Sequence, residues 1–250
     1  MHPIRIVLVG PQHPGNIGSA ARAMKTMGLD QLRLVAPERY PHVDATTMAV
    51  GADDVLDASV VVPVLAEAVA DCGLVLGCTA RSRYVSLPGY DPAQAARKLI
   101  EQADRTPVAL VFGRERTGLT NEELAQCHGA VHIPAVAEFS SLNLAAAVQV
   151  LGYEVRRAML NRVEDKALPP APSDDADDQP GVHHELEQFF IHLEKTLHAI
   201  DFYKSRPSDV VMQRLRRLFL RAQPTRRELR IVHGILADAD RMARLARGDL

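Results

Sequence analysis

The chain has 250 residues, 47% of them hydrophobic and 24% charged, with a formal net charge of −2 at pH 7. That is room for one good-sized domain and a small one, in an ordinary soluble composition with no run near the ~18 unbroken apolar residues of a membrane span. Cys72, Cys78 and Cys127 form no C-x-x-C pair and fit no zinc spacing, so neither a disulfide framework nor a structural metal is indicated and they read as reduced thiols.

The N-terminus runs straight into IRIVLVG without a secretory core or cleavage site, which points to the cytoplasm. Residues 4–9 alternate and then run apolar, predicting a strand buried in a mostly parallel sheet. GPQHPGNIGSAARAMKTMGL follows, where Gly10, Gly15 and Gly18 allow a tight path into a helix expected to begin near Ile17 or Gly18 and to end at Gly28. Asn16 falls at or near its N-cap and Arg22 on its first turn or two. The loop has neither G-x-G-x-x-G nor G-K-[ST], so it is not a phosphate loop of those kinds. On the residues alone, Asn16 reads as a cap and Arg22 as a surface side chain.

Further strands are predicted at 32–35, 60–62 and 74–77, with a small helix around 45–50 and another opened by Pro63 and running to about 70. The strand at 74–77 ends in Cys78, Thr79, Ala80, Arg81, Ser82 and Arg83, at a C-terminal sheet edge of the kind where open α/β sheets bind ligands. Asp91 and Pro92 are an N-cap and N1 pair for a helix over 92–103. PVALVF, 107–112, predicts a central strand that stops at GRERTGLTNEEL. There Gly113 permits close approach of a ligand, Gly118 bends the loop, and Thr120 with Glu123 makes a capping box. Arg114, Glu115 and Arg116 lie between the two glycines, and 130–133 reads as a short strand.

IPAVAEFSSLNLAAAVQVLGYE, 133–154, then leads into a helix whose Leu142, Leu144, Ala145, Val148, Val150 and Leu151 cover most of its circumference, predicting burial. Ser140, Ser141 and Asn143 at its start are more polar groups than one cap requires, which suggests a site. The bland alternative is a capped core helix. Strands and helices alternate over 1–163, giving an α/β domain with a mostly parallel sheet and helices on both faces. Residues 164–182 are an acidic, proline-rich linker, and 183–250 a small helical extension whose Leu186, Phe189, Phe190 and Leu193 form a core stripe. From Glu164 to Glu187 there are eight acidic residues and one lysine, while Lys204 to Leu250 carries twelve Lys/Arg against five Asp/Glu, locally +7. Such a block is either a solvated face or a polyanion-binding surface.

Together, N-x-G-x-x-x-R (Asn16, Gly18, Arg22), FGRERTGL (112–119) and IPAVAEFSSLNLAAAV (133–148) closely resemble, in this order and spacing, motifs 1, 2 and 3 of the SPOUT (SpoU-TrmD) RNA methyltransferases, in the SpoU branch acting on ribose 2′-hydroxyls. Over its length the chain looks most like the bacterial members that methylate cytidine or uridine 32 of the tRNA anticodon loop. The resemblance implies a C-terminal trefoil knot, S-adenosyl-L-methionine as cofactor, tRNA as substrate, a homodimer with active sites shared across the interface, and no metal. Carried residue by residue, it implies a cofactor pocket of Cys78, Thr79, Ala80, Gly113, Ile133, Ser140, Ser141 and Leu142, and catalytic positions Arg22, Asn16, Glu115, Ser141 and Asn143. Cys78 and Thr79 stand where a family member has Thr and Ser, and both remain small. The family assigns the arginine to activating the hydroxyl, but a guanidinium stays protonated above about pH 12, so its position is firmer than a role as base. Ribosomal RNA as substrate, or a non-catalytic RNA-binding protein on the same fold, are the other readings.

Overall fold

The computed structural model describes residues 3–80, 87–164, 176–204 and 206–247, and the chain divides into two compact units, Met1–Pro169 and Pro170–Leu250. Arg81, Ser82 and Arg83 of the expected loop and residues 165–175 of the expected linker lie outside the described residues. Among the described residues no helix is long and apolar enough to cross a membrane.

The first unit is built on strands β1 (Ile4–Val9), β2 (Gln31–Val35), β3 (Val60–Val62), β4 (Leu74–Cys78), β5 (Gly89–Tyr90), β6 (Val108–Phe112) and β7 (Gly129–Val131). They form one sheet in the order β3-β2-β1-β6-β4-β7-β5, and every pairing is parallel. The period of two sorts the side chains. Ile4, Ile6 and Leu8 join Leu34, Leu110 and Phe112 on one face, under α1 (Pro14–Thr26), α2 (Val43–Ala49), α3 (Asp53–Asp57), α5 (Pro92–Ala103) and α7 (Leu144–Glu164). Val7, Val9, Val75 and Val111 face the other way, under α4 (Leu65–Val69) and α6 (Asn121–Ala125). Both faces are covered, which is why PVALVF reads as an unbroken apolar run.

Several boundaries differ from the sequence expectation. The first helix starts at Pro14, not near Ile17, because proline at N1 has its φ already set and no N–H to satisfy. Asn16 is therefore inside the first turn and caps nothing. Gly18 is a packing position: a Cβ there would lie 2.0 Å from the Ala45 carbonyl oxygen, so its absence lets α1 and α2 approach. The expected C′ glycine does hold, with Gly28 at φ +75°. The helix expected at Pro63 begins at Leu65, and the last strand stops at Val131. In α7 only one stripe, Leu144, Ala147, Val148, Leu151 and Val155, is buried; Val150 is half-buried and Ala146, Tyr153 and Leu160 are exposed.

The second unit holds α8 (His183–Ala199), α9 (Ser208–Ala222) and α10 (Arg226–Arg247) around Leu186, Phe189, Phe190, Leu193, Leu229 and Leu236. Phe189 meets Phe219 edge-on at 4.6 Å between ring centroids, so these aromatics are core. Residues 176–181, expected as free linker, are part of this unit. Gly181 N–H donates to Pro224 C=O and Arg226 N–H to Gln179 C=O, each at 2.9 Å. Asp177 pairs with Arg230 and Asp178 with Arg227. Their carboxylates meet arginines that the sequence places some fifty residues later, which no local pattern reveals.

Candidate active site

Three loops leave the C-terminal ends of β4, β6 and β7 and enclose a cavity of about 310 Å³, at the sheet edge where doubly wound folds place ligands. Cys78, Thr79, Ala80, Gly113, Ile133, Ser140, Ser141 and Leu142, the whole set expected to hold the cofactor, line it. Phe112, Leu144 and Ala147 add apolar wall, and Arg116, Glu138 and Phe139 stand there as well without having been expected. The loops are pinned together. Thr79 N–H donates to Val131 C=O at 3.0 Å, and His132 Nδ1 lies 3.1 Å from the Thr79 carbonyl oxygen.

Gly113 lines the cavity and also has a reason within the chain. A Cβ there would lie 2.1 Å from the Gly118 carbonyl carbon and 2.2 Å from Leu119 N, so the close approach is loop against loop. It lets 114–118 close on itself, with Gly118 N–H donating to Arg114 C=O at 2.8 Å. The capping box holds as expected: Glu123 N–H donates to Thr120 Oγ1 at 3.2 Å and Thr120 N–H to Glu123 Oε2 at 2.7 Å. Glu123 also takes Arg114 Nη1 at 3.0 and 3.1 Å.

Glu115 projects the other way and joins all three sequence stretches. Its Oε2 accepts from Gln12 N–H at 2.9 Å, and its Oε1 from His13 N–H at 3.2 Å and from Asn16 Nδ2 at 2.9 Å. Asn16 Oδ1 in turn accepts from Asn143 Nδ2 at 3.0 Å. Asn143 Oδ1 accepts from Ala145 N–H at 2.9 Å and Ala146 N–H at 3.4 Å, so Asn143, and neither serine, caps α7. Glu115 thus satisfies orphan donors at the start of α1 from a hundred residues away, with its charge at the positive end of the helix. Burial works to raise its pKa, but the hydrogen bonds from Asn16 and from the Gln12 and His13 backbone outweigh it and leave the carboxyl below the usual glutamate value. A carboxylate so held is a poor proton acceptor. Glu115 ties the start of α1 to its own loop and, through Asn16, to the start of α7.

Glu115→Gln puts an amide NH₂ against N–H donors on at least one side. The loss of charged hydrogen bonds costs about 1–3 kcal/mol of stability, and displacement of Asn16 and Asn143 lowers turnover by roughly tenfold or more. Because the folded pKa is depressed, the carboxylate's contribution is present above the ordinary value of about 4.3 and is lost as pH falls through the folded value. Urea unfolding from about pH 3 to 7 should therefore show a stability rise in the parent protein that is smaller in the variant; matching profiles would refute the role.

Arg22 is not brought to this cavity. It lies exposed on α1, and among the described residues its guanidinium has no hydrogen-bond or ion-pair partner. Asn16 and Asn143 likewise stand beside the cavity, while Glu115 and Ser141 line it. Burial pushes the Cys78 thiol up to about 12, which favours the neutral thiol over the thiolate at this cavity wall.

The pattern of the SpoU rRNA methylase family matches residues 3–153, and that of the C-terminal domain of the tRNA methyltransferase TrmJ matches residues 184–248. The chain is similar to the tRNA (cytidine/uridine-2′-O-)-methyltransferase TrmJ of Yersinia enterocolitica, at 47% identity over 96% of this chain and 93% of the relative. To the protein of the same name from Escherichia coli K12 it is 50% identical over 95% of each chain. The crystal structure of TrmJ from Z. mobilis ZM4 superposes with a TM-score of 0.79 at 38% identity, covering 94% of this chain and 97% of the other.

Proposed function

The chain belongs to the SpoU rRNA methylase family, and from that membership we propose that it is a cytoplasmic tRNA methyltransferase that methylates the ribose 2′-hydroxyl of cytidine or uridine 32, using S-adenosyl-L-methionine. The observation that carries the reading is the Glu115–Asn16–Asn143 network, which holds the three motif stretches together beside one cavity. Similarity of about half the residues over nearly the full chain to tRNA ribose methyltransferases supports tRNA as substrate. The family's trefoil knot is part of the reading. It is supported by the strand order, in which β6 enters between β1 and β4, and β7 between β4 and β5.

The cavity fits the cofactor. It is of ligand size, with an apolar wall of Phe112, Ile133, Leu142, Leu144 and Ala147 for a purine and a polar rim of Thr79, Ser140 and Ser141 for hydroxyl and amino groups. The neutral Cys78 thiol offers no thiolate to be methylated in place of substrate. When bound, S-adenosylmethionine supplies an electrophilic methyl on a sulfonium. Cys78, Thr79, Ala80, Gly113, Ile133, Ser140, Ser141 and Leu142 hold it, largely through backbone groups. Asn16 and Asn143, fixed by Glu115, orient the two helix starts between which the ribose lies. Arg22 stays protonated, holds the neighbouring phosphate and the 2′-oxygen, and stabilises that oxygen as its proton leaves to water.

Arg22 reaches the cavity of a second copy in this reading, which makes the enzyme a homodimer with shared sites. Its exposed guanidinium, without a hydrogen-bond or ion-pair partner among the described residues, supports that, as does the apolar surplus on α7, where Ala146, Tyr153 and Leu160 are exposed. The test is methyl transfer from labelled cofactor to total tRNA and to ribosomal RNA, with 2′-O-methyl mapping in cells lacking the gene. Loss of the mark at nucleotide 32 alone is expected. An intact tRNA map with a missing ribosomal mark would overturn the assignment.

A further inference from the structure

Among the cavity residues with no part in the scheme above are Arg116 and Phe139. Arg114 and Arg116 flank Glu115, but only Arg114 is bound, to Glu123. Arg116 is exposed at the cavity and has no hydrogen-bond or ion-pair partner among the described residues. Phe139, which lines the same cavity, ends the 3₁₀ turn Ala137–Phe139 and is 81% exposed. One exposed apolar side chain is unremarkable anywhere on a protein surface. An exposed aromatic ring lining the same cavity as an unpaired guanidinium is a more specific arrangement.

We propose that Arg116 and Phe139 form the lip that receives the RNA, the guanidinium taking a backbone phosphate beside the target ribose and the ring stacking on an unpaired base of the same loop. Single-stranded RNA is recognised in this way, by aromatic faces that accept splayed bases and by arginines that meet phosphates. A ribose can present its 2′-hydroxyl to a cavity only if its base and flanking phosphates lie at the mouth, where these two side chains stand. The bond from Arg114 to Glu123 anchors the loop from inside and leaves Arg116 to face the ligand. The inference rests on the RNA-methylating reading above and names the residues that hold the substrate there.

The test uses the full chain and unmodified tRNA. Arg116→Ala should raise the tRNA KM by roughly 5- to 10-fold and make the dependence of log affinity on log salt shallower by roughly 0.7 to 0.9, the share of one phosphate contact. Arg116→Lys should keep that slope. Phe139→Ala should raise the tRNA KM by roughly 5- to 100-fold, the usual range for a lost base stack, with Phe139→Tyr close to the parent. In all four variants the cofactor Kd should stay within about twofold of the parent value. Weakened cofactor binding would instead assign the pair to the cofactor wall, and dissociation of a dimer by Phe139→Ala would assign the ring to a subunit contact; either outcome overturns the proposal. If the parent protein methylates no RNA, the functional reading fails. The lip is then judged by equilibrium tRNA binding alone, where unchanged affinity and slope in both alanine variants refute it.

Discussion

Arg22→Ala is expected to lower kcat by about 10²- to 10³-fold, the usual cost of removing a donor that meets developing negative charge, with the fold and cofactor affinity unchanged. The exposed guanidinium makes no hydrogen bond or ion pair among the described residues, so alanine breaks no polar contact that holds α1. The shared-site model then makes a sharper statement. Ala80→Trp, which fills the cavity from its rim, should abolish cofactor binding while leaving Arg22 in place. Gly113→Val is unsuitable for the purpose, because its side chain would strike the Gly118 and Leu119 backbone and disrupt the loop. A heterodimer of Arg22→Ala with Ala80→Trp has one site with both defects and one with neither. Random exchange of equal amounts gives half heterodimers, each with one of two sites intact, so the mixture should recover about a quarter of parental activity. Each variant must first be shown to be folded and dimeric. If subunits exchange and the mixture stays inactive, Arg22 serves its own chain's cavity.

What was legible in the sequence, and what was not, divides by distance along the chain. Strand β6, the capping box at Thr120, and the alternation of strands and helices follow from residues a few positions apart, and the structure has them. The residues expected to hold a cofactor follow from motif resemblance, and all of them line one cavity. The role of Glu115 was not legible, because its partners are Gln12, His13 and Asn16 and no periodicity links a loop to a helix start a hundred residues earlier. The start of α1 at Pro14 was available in principle, since proline at N1 is a local signal; the glycines that follow drew the boundary too late. Phe139 was hidden within a motif read for its serines. The apolar residues of α7 predicted full burial, whereas a single chain buries only one stripe of them.

The basic helical unit shows how a charge count narrows once pairing is known. Of its twelve Lys/Arg from Lys204 onward, Arg216 pairs with Glu187, Arg226 with Glu185, Arg227 with Asp178, Arg230 with Asp177 and Arg241 with Asp238. Four of those five carboxylates come from the acidic stretch that precedes the basic block, so much of the apparent charge is internal to the unit. On α9, Arg214, Arg217 and Arg221 recur at i, i+3 and i+7 and therefore share one face, away from the Met212 and Leu220 that pack the core. Arg214 and Arg221 are exposed, and Arg217 Nε donates to the Gln213 carbonyl oxygen of its own helix at 3.3 Å. If this unit grips the tRNA body, that stripe is where phosphates bind. Replacing all three with glutamine removes three charges without placing an acid at the negative end of α9. The slope of log affinity against log salt should become shallower by roughly 2 to 3, which near 0.1 M salt weakens tRNA binding by about 10²- to 10³-fold. Cofactor affinity should not change. Glutamine at Arg226, Arg227 and Arg230 should do the reverse, costing stability through lost pairs while moving the slope little. An unchanged slope in the α9 variant, with the protein folded, would show that this stripe is a solvated face and that tRNA is held elsewhere.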